Sequence, residues 1–134
     1  MVDRTKAEMI ESFDGLCEKV EIVPDQMRDS GEQIHMEFKP DDEEILKGSK
    51  TGRFHEWLRL TDKTTETTVP EGSKIEAYLK EIEVVLPETK KTKKVVEAFM
   101  LMQGKKFTFV RKTLGKAFKG HEAKPSFIPQ TLLD

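Results

Sequence analysis

The sequence predicts a mostly β domain with helices, in which five short strands close into a small Greek-key barrel and one or two helices are inserted between strands 3 and 4. Three observations carry this. Segments before residue 61 alternate apolar and other side chains with a period of two. Residues 73–104 switch to the apolar spacing of helices. The chain then returns to period two at Phe107 and Phe109, within a run of Lys and Arg. The same order of elements also fits an α+β arrangement, an antiparallel sheet covered by two helices. Closure is preferred because many short strands otherwise leave open edges.

At 134 residues the chain is expected to form a single domain, 1–134, with an N-terminal helix at 1–15, a core at 16–124 and a C-terminal strand or docked tail at 125–134. That length buries a real core without disulfides or metal. The single cysteine, Cys17, excludes an internal disulfide framework and fits a reducing compartment, so the expected location is the cytoplasm. No run of 18 apolar residues and no basic-then-apolar start occurs, so neither a membrane span nor a signal peptide is expected. Net charge is −2, but 11 Lys/Arg stand against Glu97 and Glu122 between Thr89 and Lys124. A basic segment on an otherwise acidic chain points to an anionic partner; solvated lysines are the plainer account.

The elements follow in order. Thr5 and Glu8 form a capping-box pattern, and Ala7, Ile10 and Phe13 suit a short helix closed by Gly15. Leu16 to Val23 is rich in β-branched residues and reads as a strand of imperfect alternation, ended by Pro24. Asp29-Ser30-Gly31 is a turn signal, and Gln33 to Lys39 alternates cleanly, with Ile34, Met36 and Phe38 inward. Pro40 to Gly48 reads as one or two helical turns with acids in the first turn, not as a calcium loop. Arg53 to Thr61 is a third strand: Phe54, Glu56, Leu58 and Leu60 on one face, His55, Trp57 and Arg59 on the other. Asp62 to Gly72 is a polar, threonine-rich connection, either a mobile loop or one in which Thr64 to Val69 form a short edge strand.

Ser73 and Glu76 open a helix whose stripe is Ile75, Tyr78, Leu79, Ile82, Val85 and Leu86, and Pro87 ends it. Val95, Val96, Phe99 and Met102 form a second helical pattern that stops at Gly104. Phe107 and Phe109 share a strand face. Gly115 and Gly120 flank a loop, and the prolines in 125–133 limit that run to an edge strand or an extended tail. This layout is that of an OB-like barrel, with a helix plugging one end. GSKIEAYLKEIEVVL followed by QGKKFTFVRK resembles the helix-then-strand passage of OB-fold single-stranded DNA-binding proteins from phage and archaeal replication systems, over about residues Arg53 to Lys112. That resemblance implies a barrel that binds single strands; the acidic N-terminal half departs from the family's pattern.

Catalytic signatures are missing. His55-Glu56-Trp57-Leu58-Arg59 starts like a zinc-protease motif, but Arg59 replaces the second histidine and the period is that of a strand. His35, His55 and His121 are too scattered in sequence to define a metal site. Gly104-Lys105 and Gly115-Lys116 lack the flanking residues of a phosphate loop. Cys17 sits in a strand pattern, as a buried thiol would. No enzyme activity, cofactor or metal is therefore expected.

What remains is aromatic residues interleaved with cations, the combination that holds single-stranded nucleic acid by stacking and phosphate contact. Three sets occur: Trp57 with Arg53 and Arg59; Phe107 and Phe109 with Lys105, Lys106, Arg111 and Lys112; and Phe118 with Lys116 and Lys119. Phe107 and Phe109 fit the core at least as well, which leaves Trp57 and Phe118 as stacking candidates, with a core place for Trp57 still open. The expected partner is single-stranded nucleic acid, DNA ahead of RNA. The alternative is a protein partner or a homodimer docked through the amphipathic helices, favoured by the run Phe99-Met100-Leu101-Met102.

Overall fold

The computed structural model describes residues 10–24, 31–47, 52–60, 64–114 and 125–133. Five strands form one antiparallel sheet in the order β3-β2-β1-β4-β5. They are β1 (Ser12–Pro24), β2 (Glu32–Pro40), β3 (Phe54–Leu60), β4 (Lys106–Thr113) and β5 (Pro125–Leu133). A short helix α1 (Glu43–Lys47) lies between β2 and β3. Between β3 and β4 lie α2 (Lys74–Val85), a 3-10 turn (Pro87–Lys91) and α3 (Val95–Met100). The mostly β class and the helical insert after the third strand are as expected. The sheet is not closed into a barrel: no backbone ladder joins β3 to β5.

β1 is the hub. Its first half, Ser12 to Leu16, pairs with β4, and Gly15 to Pro24 pairs with β2. The ladder shifts between Cys17 and Lys19, so Glu18 is an extra residue in the strand. This bulge turns both Cys17 and Val20 inward, three positions apart. It is the physical reason for the imperfect alternation of this segment. Beyond the bulge, the Val20 N–H donates to Gln103 Oε1 at 2.9 Å, which covers the edge that β4 no longer pairs.

Ser12 to Gly15, expected at the end of a helix, are the opening residues of β1. The rest of that expected helix, 1–9, lies outside the described residues. Gly15 does not terminate a helix; it sits where β2 crosses closely, and a Cβ there would stand 2.6 Å from the Lys39 carbonyl oxygen. Pro40 belongs to β2, and the first turn of α1 is held by Asp42, whose carboxylate accepts from the Glu44 N–H at 2.8 Å. Thr64 to Val69 form no strand. Thr65 and Thr68 instead close a turn on themselves, the Thr65 N–H meeting the Thr68 carbonyl at 2.9 Å.

α2 begins as its sequence implies. The Ser73 side chain accepts from the Glu76 N–H, while the Glu76 carboxylate accepts from the Gly72 N–H at 3.1 Å. Ile75, Tyr78, Ile82 and Leu86 are buried against the sheet, and Pro87 opens the 3-10 turn. After α3 the chain reverses at Gly104, whose φ of 84° favours glycine. In the run Phe99-Met100-Leu101-Met102, Phe99 and Met102 are fully buried, Leu101 packs on the core and Met100 faces out. Among the described residues no helix is long and apolar enough to cross a membrane.

Every strand places a phenylalanine in the core, and β4 places two, Phe107 and Phe109. Phe13 of β1 lies within ring contact of Phe54, Phe109 and Phe127, at 4.9, 5.1 and 4.9 Å between centroids. Phe38 stacks on Phe109 at 4.2 Å, and Phe54 meets Phe127 at 4.8 Å. That last contact joins the two outermost strands, so the sheet curls until its edges touch through side chains. Two buried polar groups serve the edge of β5. Glu56 of β3 accepts from the Phe127 N–H at 2.9 Å, and the Tyr78 hydroxyl of α2 donates to the Phe127 carbonyl at 2.7 Å.

Burial lifts the Glu56 carboxyl above the usual glutamate range, against the opposing pull of the Phe127 N–H and of Lys74. The folded state therefore binds this proton more tightly than the unfolded chain. Stability contributed by the protonated form is present below the unfolded pKa, and it is lost as pH rises toward the raised folded value. Glu56→Gln keeps an oxygen for the Phe127 N–H and should flatten that slope, read as urea midpoints from acidic to neutral pH. Glu56→Leu strands the N–H and should cost about 1–3 kcal/mol. A pH slope unchanged in Glu56→Gln would assign the slope to another group.

Candidate functional site

Period-two geometry sends alternate side chains of β2 and β3 to opposite faces. With Ile34, Met36, Phe38 and Leu58 committed to the core, His35, Glu37, His55 and Trp57 must stand on the outer face. Cross-strand pairing then sets two rows: Glu21 opposite His35 opposite Trp57, and Lys19 opposite Glu37 opposite His55. Arg59 occupies the next outward position of β3, opposite Gln33.

Trp57 is 49% exposed, which decides the open question in favour of the outer face. Its indole is held flat against two imidazoles. The ring of His35 lies 5.0 Å away at 14°, and that of His55 5.4 Å away at 12°. The two imidazoles are nearly parallel, at 4°, and His35 Nε2 is 2.9 Å from His55 Nδ1. His35 is thereby buried on an exposed sheet face. Its Nδ1 is 3.0 Å from a Glu21 carboxylate oxygen, and that hydrogen bond holds the Glu21 carboxyl below its usual range. For His55, burial pushes the imidazole pKa down, while Glu37 pulls the other way. Glu37 Oε1 stands 3.9 Å from His35 Nε2 and 3.8 Å from His55 Nδ1.

The cations expected to hold phosphate divide into groups. Arg53 is near this face, and its guanidinium is paired with Glu18. Arg59 lies on the face, exposed. Lys105 donates to the Leu101 carbonyl at 2.8 Å and so closes the turn after α3. Lys106 lies 3.3 Å from Asp41 and Lys112 2.7 Å from Glu81. Arg111 sits over the Phe127 ring at 5.0 Å. Phe107 and Phe109 are fully buried in the core. The β4 set thus belongs to the half of the sheet that pairs with Ser12 to Leu16, apart from the Trp57 face, which borders Lys19 and Glu21. Lys116, Phe118 and Lys119 lie outside the described residues.

Chain order alone did not reveal the meeting of His35, Glu37 and His55. A signal was present: all three are outward positions of strands adjacent in the chain. What was missing was the register, since a connection that includes α1 separates β2 from β3. No protein-family model matches this chain, and no curated protein matches it.

Cys17 offers no nucleophile. It is fully buried, and burial pushes its thiol up to about 12. Native protein at mildly alkaline pH should therefore resist a thiol reagent such as DTNB until denaturant is added. Rapid stoichiometric labelling of the folded chain would show that the bulged segment of β1 opens readily.

Proposed function

We propose that this chain is a non-enzymatic nucleic-acid-binding module, preferring single strands, built on an OB-like barrel whose seam lies between β3 and β5. The strand order supports the barrel reading, as does the contact of Phe54 with Phe127 across the two outer strands. The helical insert between β3 and β4, with α2 bonded to β5 through Tyr78, fits the plug of such a barrel. In that architecture the face of strands 2 and 3 is the oligonucleotide surface.

The observation that carries the function is Trp57. A large apolar ring is half exposed on that face and is fixed by stacking on His35 and His55. A ring already held flat gives up little freedom when a base stacks on it. Arg59 on β3 and Arg53 just before it, the latter paired with Glu18, place positive charge beside this ring for the backbone. Lys105, Lys106, Arg111 and Lys112 belong to the other half of the sheet, where β4 pairs with Ser12 to Leu16, so they are secondary to this surface.

The test is fluorescence anisotropy of a labelled oligo-dT, its RNA counterpart and a duplex, at two salt concentrations, with Trp57 emission recorded. Salt-sensitive single-strand binding with Trp57 quenching is expected. Trp57→Ala should cost about 1–3 kcal/mol of affinity, the value of one stacked base. Absence of single-strand binding at low salt, or an affinity indifferent to Trp57→Ala, would overturn the reading.

A further inference from the structure

The outer face holds a second arrangement that base stacking does not use. His35 Nε2, His55 Nδ1 and Glu37 Oε1 form a triangle with sides of 2.9, 3.9 and 3.8 Å. The point equidistant from its corners lies about 2.1 Å from each, which is the bond length of zinc to imidazole nitrogen and carboxylate oxygen. The three side chains are 11%, 24% and 20% exposed, so the site is walled yet reachable from solvent. Two imidazoles and one carboxylate are a donor set that zinc uses, with water in the fourth place.

The surrounding residues support the same reading. A histidine that binds metal usually gives its other ring N–H to a carboxylate, which fixes the tautomer. His35 does this toward Glu21 at 3.0 Å. With the proton on Nδ1, Nε2 is the unprotonated ring nitrogen, 2.9 Å from His55 Nδ1 and 3.9 Å from Glu37 Oε1. Without metal, His55 Nδ1 carries a proton and donates it to His35 Nε2. When metal binds, His55 takes the Nε2–H tautomer and its Nδ1 lone pair replaces that hydrogen bond.

We propose that His35, His55 and Glu37 form a binding site for one divalent transition-metal ion, zinc by its donor set, with Glu21 orienting His35. The site stands independently of nucleic-acid binding. It does not require Trp57 to contact a base, and its failure would leave the stacking surface unchanged.

Trp57, the one tryptophan of the chain, reports on the site because it stacks on both histidines. Untagged, chelator-treated protein is titrated with cobalt(II), an open-shell ion that occupies zinc sites and quenches a neighbouring indole. Zinc is then added in competition, and metal per chain is measured by native mass spectrometry. The expected result is saturable quenching at one ion per chain, reversed by zinc. His55→Ala and Glu37→Gln, both at partly exposed positions, should abolish it while thermal melting confirms that each is folded. Glu21→Gln should weaken it about 10–100-fold. Should either ligand variant unfold, the other carries the test, with imidazole nitrogen NMR of the unaltered chain assigning the bound atoms. No saturable binding at millimolar metal would overturn the proposal. So would an affinity unchanged in both His55→Ala and Glu37→Gln, or NMR that places the metal on other residues.

Discussion

The ring contact between Phe54 and Phe127 is the constraint on which the rest of the structure depends. Phe13, Phe38, Phe54, Phe109 and Phe127, from the five strands, form a common cluster that Phe107 adjoins, and Phe13 of β1 touches three of the other four. Aromatic rings of this size bury large areas, and their tilted and edge contacts add to that burial. Grouping five of them obliges the sheet to curl, because Phe54 and Phe127 sit on its two outermost strands. Curling brings the β5 backbone under Glu56 and Tyr78, which take up the Phe127 N–H and C=O. A buried carboxyl in β3 thus has a structural explanation: side chains do there what a strand ladder would otherwise do.

The outer face follows from the inner one. Once Phe38 and Phe54 are held in the cluster, the two-residue period forces Glu37, His55 and Trp57 outward. The β1 bulge then brings Lys19 and Glu21 beside them in register. The histidines, the carboxylates and the indole therefore meet as a consequence of core packing. An indole that stacks on imidazoles and imidazoles oriented by carboxylates form one continuous surface. The two proposed roles would use different atoms of it: the indole ring for stacking, and the imidazole nitrogens and the Glu37 oxygen for metal.

Much of the fold was legible because it is local. The clean alternation of Gln33 to Lys39 placed Ile34, Met36 and Phe38 inside, as they are. The Ser73 cap, the Pro87 stop and the reversal at Gly104 act within a few residues, so the sequence displayed them directly. β1 was harder. Its bulge breaks the period, and its pairing with both β2 and β4 depends on segments far away in the chain. The surroundings of the lysines around β4 were hidden for a related reason. A cation looks available in sequence until the fold sets Asp41, Glu81 or the Leu101 carbonyl beside it.

The sequence by itself determined β2, β3, β4 and the two helices after β3, and which side of β2 and β4 is apolar, because periodicity and caps are properties of neighbours along the chain. Tertiary structure alone decided that His35 and His55 stand 2.9 Å apart with Glu37 beside them and Trp57 over both. It also decided that the two outer strands of the sheet meet. Both outcomes depend on cross-strand register, and a slip of one residue would turn each of these side chains to the opposite face. Packing of the five phenylalanines selects that register, and no single segment encodes it.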